Sequence, residues 1–324
     1  MGMPKKLIIQ IPCYNEEGTL SIALKDLPRK VDGFDKVEWL IIDDGSRDNT
    51  VAVAKECGVD HVVSFNKNRG LARAFMAGLE ASLRMGADVI VNTDADNQYN
   101  AQDIPALVKP ILENRADIVV GARPINTIEH FSLLKKLLQK LGSWVVRVVS
   151  KTDILDAPSG FRAISRDAAM RLNVFNNYTY TLETIIQAGQ KNMLILSVPV
   201  RTNKYLRPSR LLKGIFSYAK RSLFTIVRIF VVYKPFRFFL SIGLTIFVIG
   251  VLIALRYLVF VLFGSTRGHI QSLILASILI GMGFQTILIA FLSDLIAVNR
   301  RLVEDVQYRL KKSEFDKLTQ ENRS

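Results

Sequence analysis

The chain reads as an α/β protein with a mostly parallel sheet, followed by amphipathic juxtamembrane helices and two transmembrane helices. Three observations predict this. Short β-rich apolar runs alternate with helically spaced segments up to about residue 200. Acid-rich clusters stand at the ends of two of those runs. Two long apolar stretches follow, each exceeding the ~20 residues that a helix needs to cross a bilayer.

The strands come first. "LIIQI" (7–11), "EWLIID" (38–43), "ADVIVN" (87–92), "ADIVVG" (116–121) and "LILSVPV" (194–200) are short, apolar and rich in β-branched residues. Between them "EGTLSIALKDL", "NTVAVAKEC", "LARAFMAGLEASLRM" and "IPALVKPILEN" carry apolar residues at helical spacing. Alternation of this kind gives a mostly parallel sheet covered by helices, whose ligands bind beyond the carboxyl ends of the strands. Both "DDGS" and "DADNQ" fall at such ends, which makes them candidates for one site.

The apolar stretches follow: 238–255, running on to residue 263, and 274–298. A buried core helix is rarely apolar all round for so long, so both read as membrane spans. Arg256 lies off-centre in the first and can snorkel, and Gln285 in the second suits helix–helix contact. Residues 201–237 hold ten Lys or Arg and no acid, the segment after the second span adds five more, and the "GSTRGH" turn has one. The positive-inside rule then puts both termini and the catalytic domain in the cytoplasm, at the inner face of the cell membrane. Segment 132–151 is a basic amphipathic helix that suits either the interface or the face of the sheet. Segment 210–232 leans to the interface because it runs into the first span. The expected division is a catalytic domain (1–209), juxtamembrane helices (210–235), two spans (236–298) and a cytoplasmic tail (299–324), a polar, frayed helix after residue 310. Helix faces of the two-span anchor leave room for a second copy, so a homo-oligomer is one open arrangement.

Charge and cysteines narrow the class. The chain has 324 residues and a formal net charge of +14. Its basic residues sit beside the apolar runs, which points to lipid and not to nucleic acid. Cys13 and Cys57 form neither a disulfide framework nor a C-x-x-C pair, and three scattered histidines give no zinc site. The start "MGMPKKLIIQIP" has too short an apolar run for a signal peptide and enters a strand.

The chemistry centres on "ADVIVNTDADNQYN" (87–100), where a buried strand ends in Asp94 and Asp96. Two carboxylates that close repel unless something positive lies between them. Taken alone the triplet is also an ordinary turn. The chain has no G-x-x-x-x-G-K-[ST] and no G-x-G-x-x-G, which excludes a P-loop and argues against a dinucleotide fold. A carboxylate pair at a strand end can instead hold Mg²⁺ or Mn²⁺ while the metal's open positions take diphosphate oxygens.

The triplet has company. "IPCYNEEGTL" (11–20), "IIDDGSRDNT" (41–50), "NRGLARAFMAGL" (68–79) and "DADNQY" (94–99) stand in the order and spacing of the family 2 glycosyltransferases, which the chain strongly resembles. "VGARP" (120–124), "DAPSGFRAISRDA" (156–168), "YTYTLETIIQAG" (178–189) and "RPSRL" (207–211), with the two spans, resemble the branch that transfers one sugar onto a polyisoprenyl phosphate. That branch holds dolichyl-phosphate mannose synthases and bacterial undecaprenyl-phosphate glucosyltransferases. The resemblance covers residues 7 to about 298.

The resemblance implies a GT-A fold, a metal-dependent inverting transferase, a nucleotide-sugar donor, a polyisoprenyl phosphate acceptor and a place at the bilayer. It also implies roles. Pro12, Tyr14 and Glu16 would line the nucleoside pocket, with Asp44 accepting from the base. Asp94 and Ala95 would meet the sugar-diphosphate, and Asp94, Asp96 and Gln98 would hold the metal. Lys204 and Arg210 would face the donor phosphates, Arg210 where relatives carry Lys. Arg123 would face the phosphates or the acceptor. Asp156 would join Asp94, Asp96 and Arg123 in the catalytic group, and Ser159, Arg162 and Glu183 would sit at the acceptor. UDP-glucose is the expected donor and GDP-mannose the alternative. A processive polysaccharide synthase would need a Q-x-x-R-W element, and neither Trp39 nor Trp144 lies in one. A binding protein that keeps the fold without catalysis is the rival from another class.

Overall fold

The structure is a computed structural model and describes residues 5–124, 144, 146–147, 150, 152–174, 180–203, 228, 231–263 and 270–321. Lys204, Arg210 and most of the two basic amphipathic segments lie outside the described residues.

By its internal contacts the chain divides into two units, residues 1–222 with 304–324, and residues 223–303. In the first unit the elements run β1 (Lys6–Cys13), α1 (Leu20–Asp26), β2 (Lys36–Asp43), α2 (Thr50–Glu56), β3 (His61–Ser64), α3 (Leu71–Arg84) and β4 (Val89–Asn92). They continue with α4 (Ile104–Leu112), β5 (Ile118–Ala122), β6 (Arg162–Ser165), α5 (Arg166–Arg171), α6 (Thr181–Gln190) and β7 (Ile195–Pro199). The strands form one sheet in the order β3-β2-β1-β4-β6-β5-β7. All neighbours are parallel except β6, which runs antiparallel to both β4 and β5. The expected mostly parallel α/β architecture is therefore present. β3 and β6 are additions to the five strands that the sequence announces.

Both faces of the sheet are covered, which is why β1 and β2 read as continuous apolar runs and not as alternating ones. Leu7, Ile9 and Ile11 of β1 pack with Leu20 and Leu24 of α1 and with Ile104 and Leu107 of α4. Gln10 points the other way, towards α3: a side-chain carbon on Gly78 would lie 2.5 Å from its Oε1. The carboxyl ends of β1, β2 and β4 come together along one edge of this layer, because β1 pairs in parallel with both of the others.

The second unit contains α7 (Pro235–Leu262) and most of α8 (Ile270–Glu321). Their most apolar windows have mean hydropathies of 2.8 and 2.2, and both helices are long enough to cross a membrane. Gly250 and Gly283 let the two backbones approach: a Cβ on Gly283 would stand 2.6 Å from the Phe247 nitrogen, and one on Gly250 2.9 Å from that of Ile280. Close approach through small residues is how apolar helices gain van der Waals contact where no hydrophobic force separates them from lipid.

The expectation of a tail frayed after residue 310 is corrected. α8 continues to Glu321, and its end belongs to the first unit. Phe315 is 2% exposed. Tyr308 donates to Asp167 (2.6 Å) and lies under the Arg171 guanidinium (4.2 Å), while Glu304 pairs with Lys191 (3.0 Å) and Glu314 with Arg84 (3.0 Å). One buried aromatic among polar contacts holds a segment whose composition alone suggests a solvated end.

Candidate active site

The loops that leave β1, β2 and β3 are laced together by backbone N–H groups. The Asn15 N–H donates to Ser46 Oγ (2.9 Å), that of Arg47 to Asn15 Oδ1 (2.8 Å) and that of Glu16 to Thr50 Oγ1 (2.8 Å). The Glu16 carboxylate accepts from Thr19 Oγ1 (2.7 Å). Pro12 is buried within β1, whereas Tyr14 is 40% exposed at the rim. Asp44, 4% exposed, accepts the N–H groups of Arg69 (2.6 Å) and Gly70 (2.9 Å), one on each oxygen. Burial raises its pKa, and the two N–H groups work against that rise. Its visible task is to shape the turn that opens α3.

After β4 the chain turns through Asp94, Ala95 and Asp96. The Gln98 N–H donates to Asp96 Oδ1 (3.1 Å), and Asn97 takes a left-handed conformation (φ 55°). This turn is fastened from outside: the Asn203 N–H donates to the Gln98 carbonyl (2.9 Å) and its amide to that of Asn97 (3.1 Å). Asn203 immediately precedes Lys204.

Asp94 is the electrostatic focus. Burial, then the neighbouring charge of Asp96, pushes its carboxyl up to about 7, with Arg123 pulling in the opposite direction. Among the described residues no hydrogen bond reaches it. A divalent cation fits here on these grounds. The Asp94 carboxyl, whose ionisation the charge of Asp96 opposes, is stabilised as an anion by positive charge beside it. Asp94, Asp96 and the Gln98 amide, all on the turn after β4, would supply a partial oxygen set of the kind that leaves positions for water and substrate phosphates. No group of three or more His, Cys, Asp or Glu is present among the described residues, so a closed all-protein cage is not what the site offers.

Arg123, just beyond β5, is gripped on two sides by Asp156: Nε to Oδ2 (2.7 Å) and Nη2 to Oδ1 (3.1 Å). Although burial alone would lower the pKa of Arg123, Tyr99 and Asp156 raise it, so its charge is permanent. Asp156 is 0% exposed. Both of its oxygens are bonded to Arg123, so it meets the site through that guanidinium. Arg162 and Ser159 are likewise 0% exposed. The Arg162 guanidinium donates to the carbonyls of Ser159 (2.8 Å) and Ala157 (2.8 Å) and to the Thr184 hydroxyl. These three bonds tie it to the loop and to α6. Ser159 Oγ lies 3.5 Å from Tyr99 Oη. Glu183 stands half-buried in the first turn of α6.

The reading of the sequence missed Gln10, Asn92, Tyr99 and Tyr180, which build the floor of this region. A signal existed. Gln10 interrupts "LIIQI" and Asn92 closes "VIVN", and a polar side chain in a strand covered on both faces must find a buried partner.

Known proteins can now be set beside this geometry. The family model described as Glycosyl transferase family 2 matches residues 8–172. The UDP-N-acetylglucosamine–dolichyl-phosphate N-acetylglucosaminyltransferase of Methanococcus voltae is 30% identical over 222 residues, 62% of this chain and 87% of that protein. The polyprenol monophosphomannose synthase of Mycolicibacterium smegmatis is 26% identical over 60% of this chain and 77% of its own. Glucosyl-3-phosphoglycerate synthase from Mycobacterium tuberculosis, solved with Mn²⁺, UDP-glucose and phosphoglyceric acid, shares the fold. Its TM-score is 0.53 at 22% identity, covering 68% of this chain and 79% of that one.

Proposed function

The chain belongs to glycosyl transferase family 2, and on that premise we propose that it moves one hexose from a nucleotide-diphosphate sugar onto a polyisoprenyl phosphate at a membrane surface. The observation that carries this reading is the union, on one chain, of the family domain with two apolar helices of membrane-spanning length. An acceptor whose tail stays in the bilayer requires an enzyme that stays there too. The names of the Methanococcus and Mycolicibacterium relatives agree with such an acceptor.

A phosphate monoester has a second pKa of about 6, so at neutral pH the acceptor is already largely dianionic. No strong base is needed. The work left to the protein is to bring two anions together in line and to stabilise the departing diphosphate. Arg123, held on the rigid end of β5 by Asp156, supplies fixed positive charge without needing to be ordered at each turnover. Asp94, Asp96 and the Gln98 amide would hold a Mg²⁺ or Mn²⁺ ion, which when bound offsets charge on the leaving nucleoside diphosphate. Asp44 and the loops after β1 and β2 would seat the nucleoside. Direct displacement then inverts the anomeric carbon, turning an α-linked donor into a β-linked product.

For the donor we propose UDP-glucose and for the acceptor undecaprenyl phosphate. GDP-mannose is the second reading, favoured by the name of the mycobacterial relative. The basic residues of 201–237 would draw in the headgroup and anionic lipids at ~1 kcal/mol each near the surface, with both termini and the catalytic unit on the cytoplasmic side of the inner membrane.

The test incubates membranes carrying the protein with undecaprenyl phosphate, Mn²⁺ or Mg²⁺, and labelled UDP-glucose, GDP-mannose or UDP-N-acetylglucosamine. Asp96→Ala runs beside the parent. Lipid-extractable label from one donor, absent in the variant, is the expected result and identifies the sugar. Label that is water-soluble only, from every donor, overturns the lipid acceptor.

A further inference from the structure

Beneath the reacting groups lies a row of buried polar side chains. The strand registers set Gln10 of β1 opposite Asn92 of β4, and Asn92 opposite Arg162 of β6. All three are 0% exposed. Residues opposite one another in a ladder face the same side of the sheet, so the row is continuous across three strands. Gln10 Nε2 donates to Asn92 Oδ1 (2.9 Å), which fixes the orientation of the Asn92 amide. Asn92 Nδ2 then donates to the Gly160 carbonyl (2.9 Å) and to Tyr180 Oη (2.9 Å).

The row grips one loop. Arg162 takes the carbonyls of Ala157 and Ser159, Asn92 takes that of Gly160, and Tyr99 Oη accepts the Gly160 N–H (3.1 Å). Tyr180 closes the arrangement: its ring stacks on Phe75 (3.8 Å between centroids, 5° apart), and its hydroxyl faces Gly160. The pinned loop bears on both charged groups of the site. Asp156 at its start holds Arg123. Gly160 at its end touches Asp94, since a Cβ there would lie 3.0 and 3.1 Å from the two carboxylate oxygens.

We propose that Asn92 and Tyr180 are positioning residues for glycosyl transfer. Through Gly160 they set where the Asp94 carboxylate stands relative to Arg123, without touching substrate themselves. Asn92 suits the task because it ends the strand that delivers Asp94 and at the same time holds the loop that delivers Asp156. One amide thereby couples the two sides of the reacting centre. Placement matters at this scale, because a shift of about 1 Å in a reacting group costs up to ~10²-fold in rate. The inference deepens the proposed transferase reading and rests on it.

The test uses the full chain in detergent with three variants: Tyr180→Phe, which keeps the ring stack and removes only the hydroxyl, Asn92→Ala, and Gly160→Ala, which removes no hydrogen-bonding group but crowds both Asp94 and the Tyr180 hydroxyl. Melting temperature, kcat and donor KM are measured, together with nucleoside diphosphate affinity by calorimetry with and without Mn²⁺. Expected are a ~3–10-fold fall in kcat for Tyr180→Phe and ~10–100-fold for the other two, with donor KM moving less than ~3-fold. The Mn²⁺-dependent gain in nucleotide affinity should fall by ~10-fold in Asn92→Ala and Gly160→Ala. The Tyr180→Phe/Asn92→Ala pair should cost little more than Asn92→Ala alone, because both act through Gly160. Variants that melt earlier but keep kcat per folded molecule within two-fold, with the Mn²⁺ gain intact, overturn the proposal. Should Asn92→Ala fail to fold, Tyr180→Phe and Gly160→Ala decide it. If the parent itself transfers no sugar to lipid, the acceptor reading falls, while the Mn²⁺ gain still decides the positioning role.

Discussion

Asp44 and Asp94 leave the ends of β2 and β4, the two strands that flank β1, and they are treated in opposite ways. Asp44 is 4% exposed and has a backbone N–H on each oxygen. Among the described residues no hydrogen bond reaches Asp94, and burial and the charge of Asp96 push its carboxyl up to about 7. One side of the site is complete as folded. The other holds an electrostatic deficit that only an incoming cation or proton removes. The contrast fits a division of labour. A nucleoside keeps its shape and charge through the reaction and can be met by a finished surface, whereas the diphosphate gains charge as it leaves and calls for groups that respond to it.

The largest effect should come from the open side. Asp94→Asn and Asp96→Ala should each lower transfer by ~10³-fold or more at saturating metal, read from initial rates. Asp156→Asn comes next. It leaves Arg123 buried beside a neutral partner, and we expect a ~10²-fold loss in kcat together with ~3 kcal/mol of stability by denaturant titration. Asp44→Asn should act differently, raising donor KM ~10-fold through loss of its charge-assisted N–H contacts while kcat holds. A kcat defect as large as that of Asp94→Asn would break the comparison.

pH sharpens it further. Asp94 must lose its proton to bind a cation, so Mn²⁺ affinity should rise as pH climbs towards about 7 and level off above, an effect of up to ~10-fold per unit on the acid side. Its folded pKa lies above the unfolded value near 3.8, so in the metal-free protein stability falls as pH rises from about 4 to about 7, and the loss is complete above that. Asp94→Asn should therefore raise the melting temperature of metal-free protein at pH 8, by about 2 °C, while transfer is lost. The smallest effect on chemistry is expected at Phe315→Ala. There ~3 kcal/mol of stability should go and kcat should stay within about two-fold.

Much of this was legible. The strands at 7–11, 38–43, 87–92, 116–121 and 194–200 announce themselves because burial on both faces demands unbroken apolar runs. β3 ("HVVS") and β6 ("RAIS") do not. Each is four residues long, and β6 has a ladder on both sides, so its stability comes from neighbours distant in sequence and not from its own pattern. Asp44, Asp94 and Asp96 could be placed at one site because the strand-end rule needs only topology. The inward turn of Asp156, Ser159 and Arg162 could not be foreseen. Their partners are Arg123 for Asp156, the Tyr99 hydroxyl for Ser159 and loop carbonyls for Arg162, all distant or unpatterned in sequence, and a "DAPSG" string reads equally well with its polar groups facing a substrate.

The first unit is not a continuous stretch of chain. Phe315, which lines a cavity with Leu79, Leu83 and Ala169, is synthesised after α7 and the apolar part of α8. During translation the sheet and its strand-end loops can therefore assemble early, but Phe315 leaves the ribosome only after the apolar part of α8. By then α7 and the apolar part of α8 have already emerged and, on the proposed topology, entered the bilayer. Completion of the catalytic unit becomes a late checkpoint in biogenesis: a nascent chain stalled within the second apolar helix would carry every acid of the site and still lack Phe315. A water-soluble version made by cutting the chain before residue 235 would inherit the same gap and would need residues 304–321 restored in trans or by fusion.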